Sequence, residues 1–406
     1  MMGSRQFPPS ERFMKHKTGN LRFAMLHGLY WASFCVLYSF LVPLYRSYGF
    51  SEITIGFLST TTSLASMVIQ PLWGMISDKK GSLKGIFIGT VLVSILVSYG
   101  TWLGRFGAAW MFPVVFLIAA TYMAMGTVLD SWVMKMTNQG HPVRYNITRG
   151  VGSIAFATTS QVFGRVLDVT GMAIIPYVFT GLALLLVFLA AITQPPVHQA
   201  SEPTKNPFSA MGEIVRNRRF MVLMVALLLS FAGNGAAIVF MPVRMAELGG
   251  TNLHVGTAMM VMALSEAPAM LLHHRIVKVI RNDRLLTISI FFFIVKVLLL
   301  GFATSPLLLI LAQTFQFLSF GLYMPSVIHE INRMVPERQL TTALLVYASL
   351  TFGLGIMIGS SLGGILAETL SVQVMFLIMA VGPTLGLFIR MLSGVLCRKS
   401  RANALG

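Results

Sequence analysis

Acidic residues are scarce in this chain. Asp and Glu together number 13 among 406 residues, against 30 Lys and Arg, and all charged residues make up only 11%. A water-soluble domain carries about a quarter charged residues, so the composition points instead to a polytopic membrane protein. Cysteine is almost absent. Cys35 lies in an apolar run and Cys397 near the C-terminus, which gives neither a metal-ligand spacing nor a disulfide framework. No zinc spacing, nucleophile elbow or phosphate-binding loop is present. The one glycine-rich candidate, "GVG" at 150–152, falls inside an apolar run rather than between a strand and a helix. An enzyme is therefore not expected, and energy should come from an ion gradient, not from ATP. The net charge of +17 is not gathered in one patch; it recurs in short clusters between apolar runs, which argues for membrane topology and against a nucleic-acid partner. The first twenty residues are polar and basic, with no apolar stretch and small-residue cleavage site behind them. A cleaved signal peptide is not expected, and the first helix itself should direct insertion.

What the chain does have is apolar runs, with hydrophobic residues at 55%. A membrane helix needs about 20 mostly apolar residues. Twelve such spans can be read, at 21–46, 52–77, 84–104, 108–135, 144–166, 171–193, 219–245, 254–279, 284–303, 306–333, 340–367 and 371–396. Most connections are short. The exception, "TQPPVHQASEPTKNPFSAMGEIVRNRR", is Pro-rich and polar, then reads as an amphipathic helix. It divides an N-terminal six-helix half (21–193) from a C-terminal one (219–396), with a central loop at 194–218 and tails at 1–20 and 397–406. Of the 30 Lys and Arg, 24 fall on the side of the termini and central loop, 4 on the other side, and 2 within spans. The positive-inside rule then places both termini and the central loop in the cytoplasm. Gly355, Gly359 and Gly363, four apart on one helix face, predict close helix packing.

Ionisable residues inside these runs are the functional candidates, because a charge at the bilayer centre costs about 2.5–3.5 kcal/mol on insertion scales. The run "VMALSEAPAMLL" holds Glu266. Asp130 and Arg149 lie about ten residues either side of the turn near Gly140, hence ~15 Å from it, at matching depth on antiparallel neighbours. Glu266 and Lys296 repeat that arrangement, 16 and 14 residues from a turn near Asn282. Two ion pairs are the expectation. His27, Trp31, Phe34 and Tyr38 recur at helical spacing on one face of the first span; Tyr30, Trp31 and Tyr38 are the aromatic candidates for lining a cavity, although core packing would produce the same stripe. Asn234, Gln313 and Gln316 are polar groups in spans 7 and 10, suited equally to binding or to interhelical hydrogen bonds. His329, Glu330 and Asn332 close span 10, where a solvated gate is the simpler reading.

The loop after span 2 reads "GMISDKKGSLKG". It resembles the loop signature of the major facilitator superfamily, G-x-x-x-D-R/K-x-G-x-x-K/R, with Gly74, Asp78, Lys79, Gly81 and Lys84 at the matching positions. The resemblance extends over the whole chain through the twelve spans and the six-plus-six split. It implies an all-α membrane protein of two six-helix halves. "FLVPLYRSYGFSEITIGFL" and "LDSWVMKMTNQGHPVRYNITRGVGSIAF" look like the branch containing lactose permease, the phenylpropionate permeases and the nucleoside–proton symporters. That likeness implies substrate contact at Asp130, Arg149 and Glu266, with Lys296 as a basic residue of helix 9. Helix 10 departs from it: Gln313, Gln316 and Ser319 stand where lactose permease carries a lysine, a histidine and a glutamate. Helix 5 also lacks the G-P-x-x-G-G signature of the superfamily's drug–proton antiporters.

The function implied is proton-coupled symport of a small polar solute by alternating access, with Glu266 and Asp130 as proton carriers and no cofactor beyond the proton gradient. Arg149 and Lys296 balance Asp130 and Glu266. Protonating Glu266 would leave the cavity at +1 and favour an anion; the resemblance keeps sugars and nucleosides open. An exporter of the same fold and a non-transporting membrane receptor are the rivals. Partners are the small-molecule substrate and the lipid bilayer, the chain is expected to act as a monomer, and the expected location is the inner cell membrane.

Overall fold

In hydrocarbon every backbone N–H and C=O must find a partner within the protein, so apolar runs of this length become helices. The computed structural model describes residues 9–80, 82–196, 207–336 and 339–402. Its membrane helices are α1 (Asn20–Ser47), α2 (Glu52–Trp73), α3 (Leu83–Phe106), α4 (Ala108–Asn138), α5 (Tyr145–Thr170) and α6 (Met172–Ile192). The second half holds α7 (Arg218–Glu247), α8 (Asn252–Val279), α9 (Asn282–Phe302), α10 (Pro306–Met334), α11 (Leu340–Thr369) and α12 (Val372–Leu392). These twelve fill the twelve expected spans. Eleven are long and apolar enough to cross a membrane on composition alone. The twelfth, α5, has 26 residues but carries Arg149, Arg165 and Asp168; it packs against α1 and α8, which shield part of its polar face. The connecting helix Pro207–Arg216 docks through Ile214, fully buried, and through a hydrogen bond from Gln339 to Glu213. Gly81 and the side chains of Gly74, Asp78 and Lys79 lie outside the described residues. Lys84 is described: its ammonium donates to the carbonyls of Ala191 (2.5 Å) and Thr193 (3.0 Å) at the end of α6, where a cation suits the negative end of the helix dipole.

The two halves meet through α5 on α8 and α2 on α11. Glycine permits the approach. A Cβ on Gly256 would sit 2.0 Å from the Ser160 carbonyl oxygen, and one on Gly56 2.3 Å from that of Ser360. Carboxylates then close the seam. Asp168, on α5, accepts hydrogen bonds from the backbone N–H of Asn252 (2.8 Å) and Leu253 (3.0 Å) at the start of α8. Glu368, on α11, accepts one from Ile53 (2.9 Å) at the start of α2. Both satisfy orphan N–H groups at a positive helix end. Ser160, Gly164 and Asp168 repeat as Ser360, Gly364 and Glu368, and Gly56 as Gly256, in each case 200 residues on. All these contacts lie at the face opposite the termini. The predicted close packing of Gly355, Gly359 and Gly363 is also present, against Phe231, Ala232 and Phe240 of α7.

Several helices are interrupted near mid-membrane. Wide π-helical turns occupy Cys35–Ser39 in α1, Ala119–Met123 in α4, Phe317–Gly321 in α10 and Ser349–Gly355 in α11. Such turns leave carbonyls poorly paired and are frequent at functional sites. In α4 the Tyr30 hydroxyl serves the carbonyls of Tyr122 and Met123, each at 3.2 Å. Tyr30 is 1% exposed. It supports the α4 bend and is no part of a cavity wall, unlike the cavity-facing role expected for it.

Candidate functional site

The four intramembrane charges come together in two clusters, one from each half, and the pairing within each differs from the expectation. Asp130 does not pair with Arg149. Its Oδ1 lies 3.1 Å from Nε2 of His27, on α1. Matching depth fixes position along two helices but not the angle at which each side chain leaves its helix; here α1 intervenes. His27 is completely buried, while the Asp130 side chain keeps 31% of its exposure. Arg149 turns the other way. Its guanidinium carbon sits 4.1 Å from the Trp31 ring centroid and Nη1 donates to Ser153 at 3.1 Å. Desolvated contacts of a guanidinium on an aromatic face are worth about 2 kcal/mol or more. Tyr145, one helical turn before Arg149, lies close enough to act on both Asp130 and Arg149, and its ring meets that of His27 edge-on at 6.4 Å.

In the second half Glu266 and Lys296 are joined through an intermediary. Lys296 Nζ donates to Gln316 Oε1 at 2.5 Å, and Gln316 Nε2 donates to Glu266 Oε2 at 3.4 Å. One amide thus accepts from the cation and donates to the carboxylate, which lets two buried charges face each other without direct contact. Lys296 is 2% exposed and Gln316 5%. Gln316 belongs to the tight turn Gln313–Gln316, directly before the α10 bend. The positive charges of Arg149, from the other half, and Lys296 both act on the Glu266 carboxylate.

The remaining candidates divide. Trp31 is half-buried and stacks beside Phe34 (5.2 Å), which in turn meets Tyr38 (5.0 Å); together they form an aromatic strip leading away from Arg149. Asn234 is 2% exposed, and its Oδ1 has no hydrogen-bond partner. Gln313 turns back on its own helix, donating to the Leu309 carbonyl at 3.2 Å. Glu330 is not a solvated gate residue: its side chain is 12% exposed and accepts from Arg390 at 3.4 Å. Asn282 donates to Glu330 (3.4 Å) and to the Ser326 carbonyl (3.0 Å), and His273 pairs with the Ser326 hydroxyl (3.1 Å). This network ties α8, α9, α10 and α12 together near the basic side. Nothing in the residue spacing signalled it beyond the charges on Glu330 and Arg390. Among the described residues no cluster of His, Cys, Asp or Glu could hold a metal ion.

The arrangement is that of two clusters of buried and half-buried charges, one in each of two helical bundles that are pinned together at one face. The MFS_1 like family model matches residues 21–378 of the sequence. The chain belongs to the major facilitator superfamily. It is a multi-pass membrane protein and a secondary transporter of a small molecule, not an enzyme. Maltose permease of Geobacillus stearothermophilus is 27% identical over 374 residues, covering 91% of this chain and 93% of the relative. The crystal structure of a mutant of the nucleoside transporter NupG superposes with a TM-score of 0.83 at 16% identity, covering 92% of this chain and 99% of that one. A mutant of the Escherichia coli fucose:proton symporter superposes at 0.58 and 14% identity, covering 93% of this chain and 99% of that one. At those identities the two structures establish the fold alone.

Proposed function

We propose that this transporter imports a sugar of disaccharide size or larger together with a proton, by alternating access around the cleft between Arg149 and Glu266. The observation that carries this reading is the make-up of the cleft. Two carboxylates (Asp130, Glu266), a guanidinium (Arg149) and an amide (Gln316) come from both halves beside the Trp31 ring. A sugar presents donors and acceptors on adjacent hydroxyls and an apolar C–H face, which suits such a mixture. The formal charges of Asp130, Glu266, Arg149 and Lys296 cancel while no proton is bound. Likeness to a maltose permease along nine-tenths of the chain supports the same class. Asp130, Arg149, Glu266, Gln316, Asn234 and Trp31 are the proposed contacts, with Lys296 acting through Gln316.

The test is a thermal-shift screen of purified protein against maltose, maltotriose, uridine, fucose and benzoate. Maltose or maltotriose should stabilise the protein in a saturable manner. A shift with uridine or benzoate alone would refute the sugar reading.

The proposed location is the inner cell membrane with both termini cytoplasmic, on the 24-to-4 distribution of Lys and Arg. Arg216, exposed at the end of the connecting helix, and Arg105, exposed at the end of α3, should lie on opposite sides. In a Cys-free background, Arg105→Cys should react with a membrane-impermeant maleimide added to intact cells and Arg216→Cys should not. Reaction of both from outside would reverse or break this topology.

A further inference from the structure

The proposed function leaves two carboxylates as candidates for the coupled proton, and hydrogen-bond bookkeeping separates them. His27 has an acceptor at each ring nitrogen. Nδ1 faces the Phe23 carbonyl oxygen at 3.2 Å, and Nε2 faces Asp130 Oδ1 at 3.1 Å. A backbone carbonyl can only accept, so this hydrogen bond assigns a hydrogen to Nδ1. A neutral imidazole has one N–H; with that on Nδ1, Nε2 is a lone pair aimed at a carboxylate. Two acceptors cannot satisfy each other. The contact holds only if one more proton is present, either on Nε2, making His27 an imidazolium, or on Asp130, making it the donor. Both arrangements count the same protons for the pair.

Glu266 shows the opposite pattern. The group hydrogen-bonded to it, the Gln316 amide, donates its N–H, so that contact calls for no added proton. We infer that the coupled proton resides on the His27–Asp130 pair, with Asp130 as the water-facing entry and His27 as its buried partner. The inference rests on the proposed proton coupling and identifies its site.

The surroundings fit a proton that comes and goes. The His27 side chain is 0% exposed, whereas that of Asp130 keeps 31% of its exposure. The titratable or charged groups around the pair are Tyr145 and Arg149 on α5 and Tyr30 on α1. Arg149 is engaged by Trp31 and Ser153, and Asp130 interacts with Tyr145 as well as with His27. With the proton the pair is neutral. When a proton leaves for water, the pair retains one negative charge, the Nε2 lone pair and the carboxylate repel, and Asp130 is free to turn toward Arg149. Departure of the proton thus alters the Arg149 contacts that the proposed function uses for solute. No other bond is made or broken; one proton is taken from water on one side and returned to water on the other.

The test uses the full chain in liposomes containing a trapped pH dye, with maltose as the solute and a parallel assay of labelled-maltose exchange at equal pH. Wild-type protein should acidify the lumen when maltose is added outside. His27→Gln removes the titratable ring at a position that does not reach the cleft. It should exchange maltose within about threefold of wild type and lose at least nine-tenths of the proton entry. His27→Asn, smaller and still able to donate toward Asp130, guards against a folding defect and should behave alike. Proton entry at the wild-type ratio in either variant would overturn the inference and leave coupled transport standing. If neither variant exchanges maltose, the pair serves solute movement itself, and the inference is equally wrong. Wild-type exchange without any acidification would instead defeat the proton-coupled reading on which it rests.

Discussion

Arg149→Gln should abolish solute binding while leaving the protein folded. The guanidinium is stacked on Trp31 and bonded to Ser153, and its charge acts on Glu266 of the other half. A hydrogen bond to a charged group is worth about 1.5–3 kcal/mol, which corresponds to a loss of roughly 10- to 150-fold per bond. Losing a two-pronged contact therefore takes a sugar of ordinary transporter affinity out of measurable range. The fold should survive, because Arg149 is not part of a closed ion pair: Asp130 keeps His27, and Glu266 keeps Gln316 and Lys296. Arg149→Lys should also fail, by at least tenfold, since an ammonium lacks both the planar face that stacks on Trp31 and the fork that grips two oxygens. Titration of detergent-purified protein with maltose by calorimetry, beside a melting curve without ligand, checks both statements. Binding within threefold of wild type in Arg149→Gln would reduce this residue to a structural one.

The twelve helices were legible because a bilayer imposes length and apolarity on each segment, and the candidate charges were legible because hydrocarbon penalises them. Their partners were not. A distance counted from a turn places Asp130 beside Arg149 in depth, yet side-chain direction around the helix gives Asp130 to His27 and Arg149 to Trp31. The signal for His27 was present as a histidine on the same face as Trp31, but that stripe reads equally well as core. Gln316 was visible as a polar residue in α10; its role as the link between Lys296 and Glu266 depends on the turn that precedes the bend at Phe317–Gly321. Apolar periodicity does not reveal such a bend. The Ser–Gly–acid spacing at 160, 164 and 168 does recur at 360, 364 and 368. It means little until α5 is seen against α8 and α11 against α2, where small residues and helix-capping carboxylates are needed at the same heights.

The Glu266–Gln316–Lys296 chain should respond asymmetrically to neutralisation. Removing one member of a buried charge pair costs about 3–5 kcal/mol, because the other charge stays uncompensated. The two single changes are not equivalent here. Lys296→Met leaves Glu266 with the Gln316 amide and with Arg149, whose charge reaches it from the other half. Glu266→Gln leaves an ammonium that is 2% exposed with only an amide oxygen for company. Glu266→Gln should therefore lower the melting temperature more than Lys296→Met does. The double change removes both charges, and an apolar replacement of a buried pair is often neutral or stabilising, so the double variant should melt closer to wild type than Glu266→Gln does. The check is a double-mutant cycle by thermal unfolding in detergent. Coupled residues show an interaction energy of about 0.5–3 kcal/mol, whereas independent ones add within about 0.3–0.5 kcal/mol. Simple additivity would mean that Gln316 does not transmit the pairing and that Lys296 is stabilised by something other than Glu266. Recovery in the double variant without recovery of maltose binding would separate the two roles of Glu266: a counter-charge for Lys296 in the resting fold, and the contact proposed for the sugar.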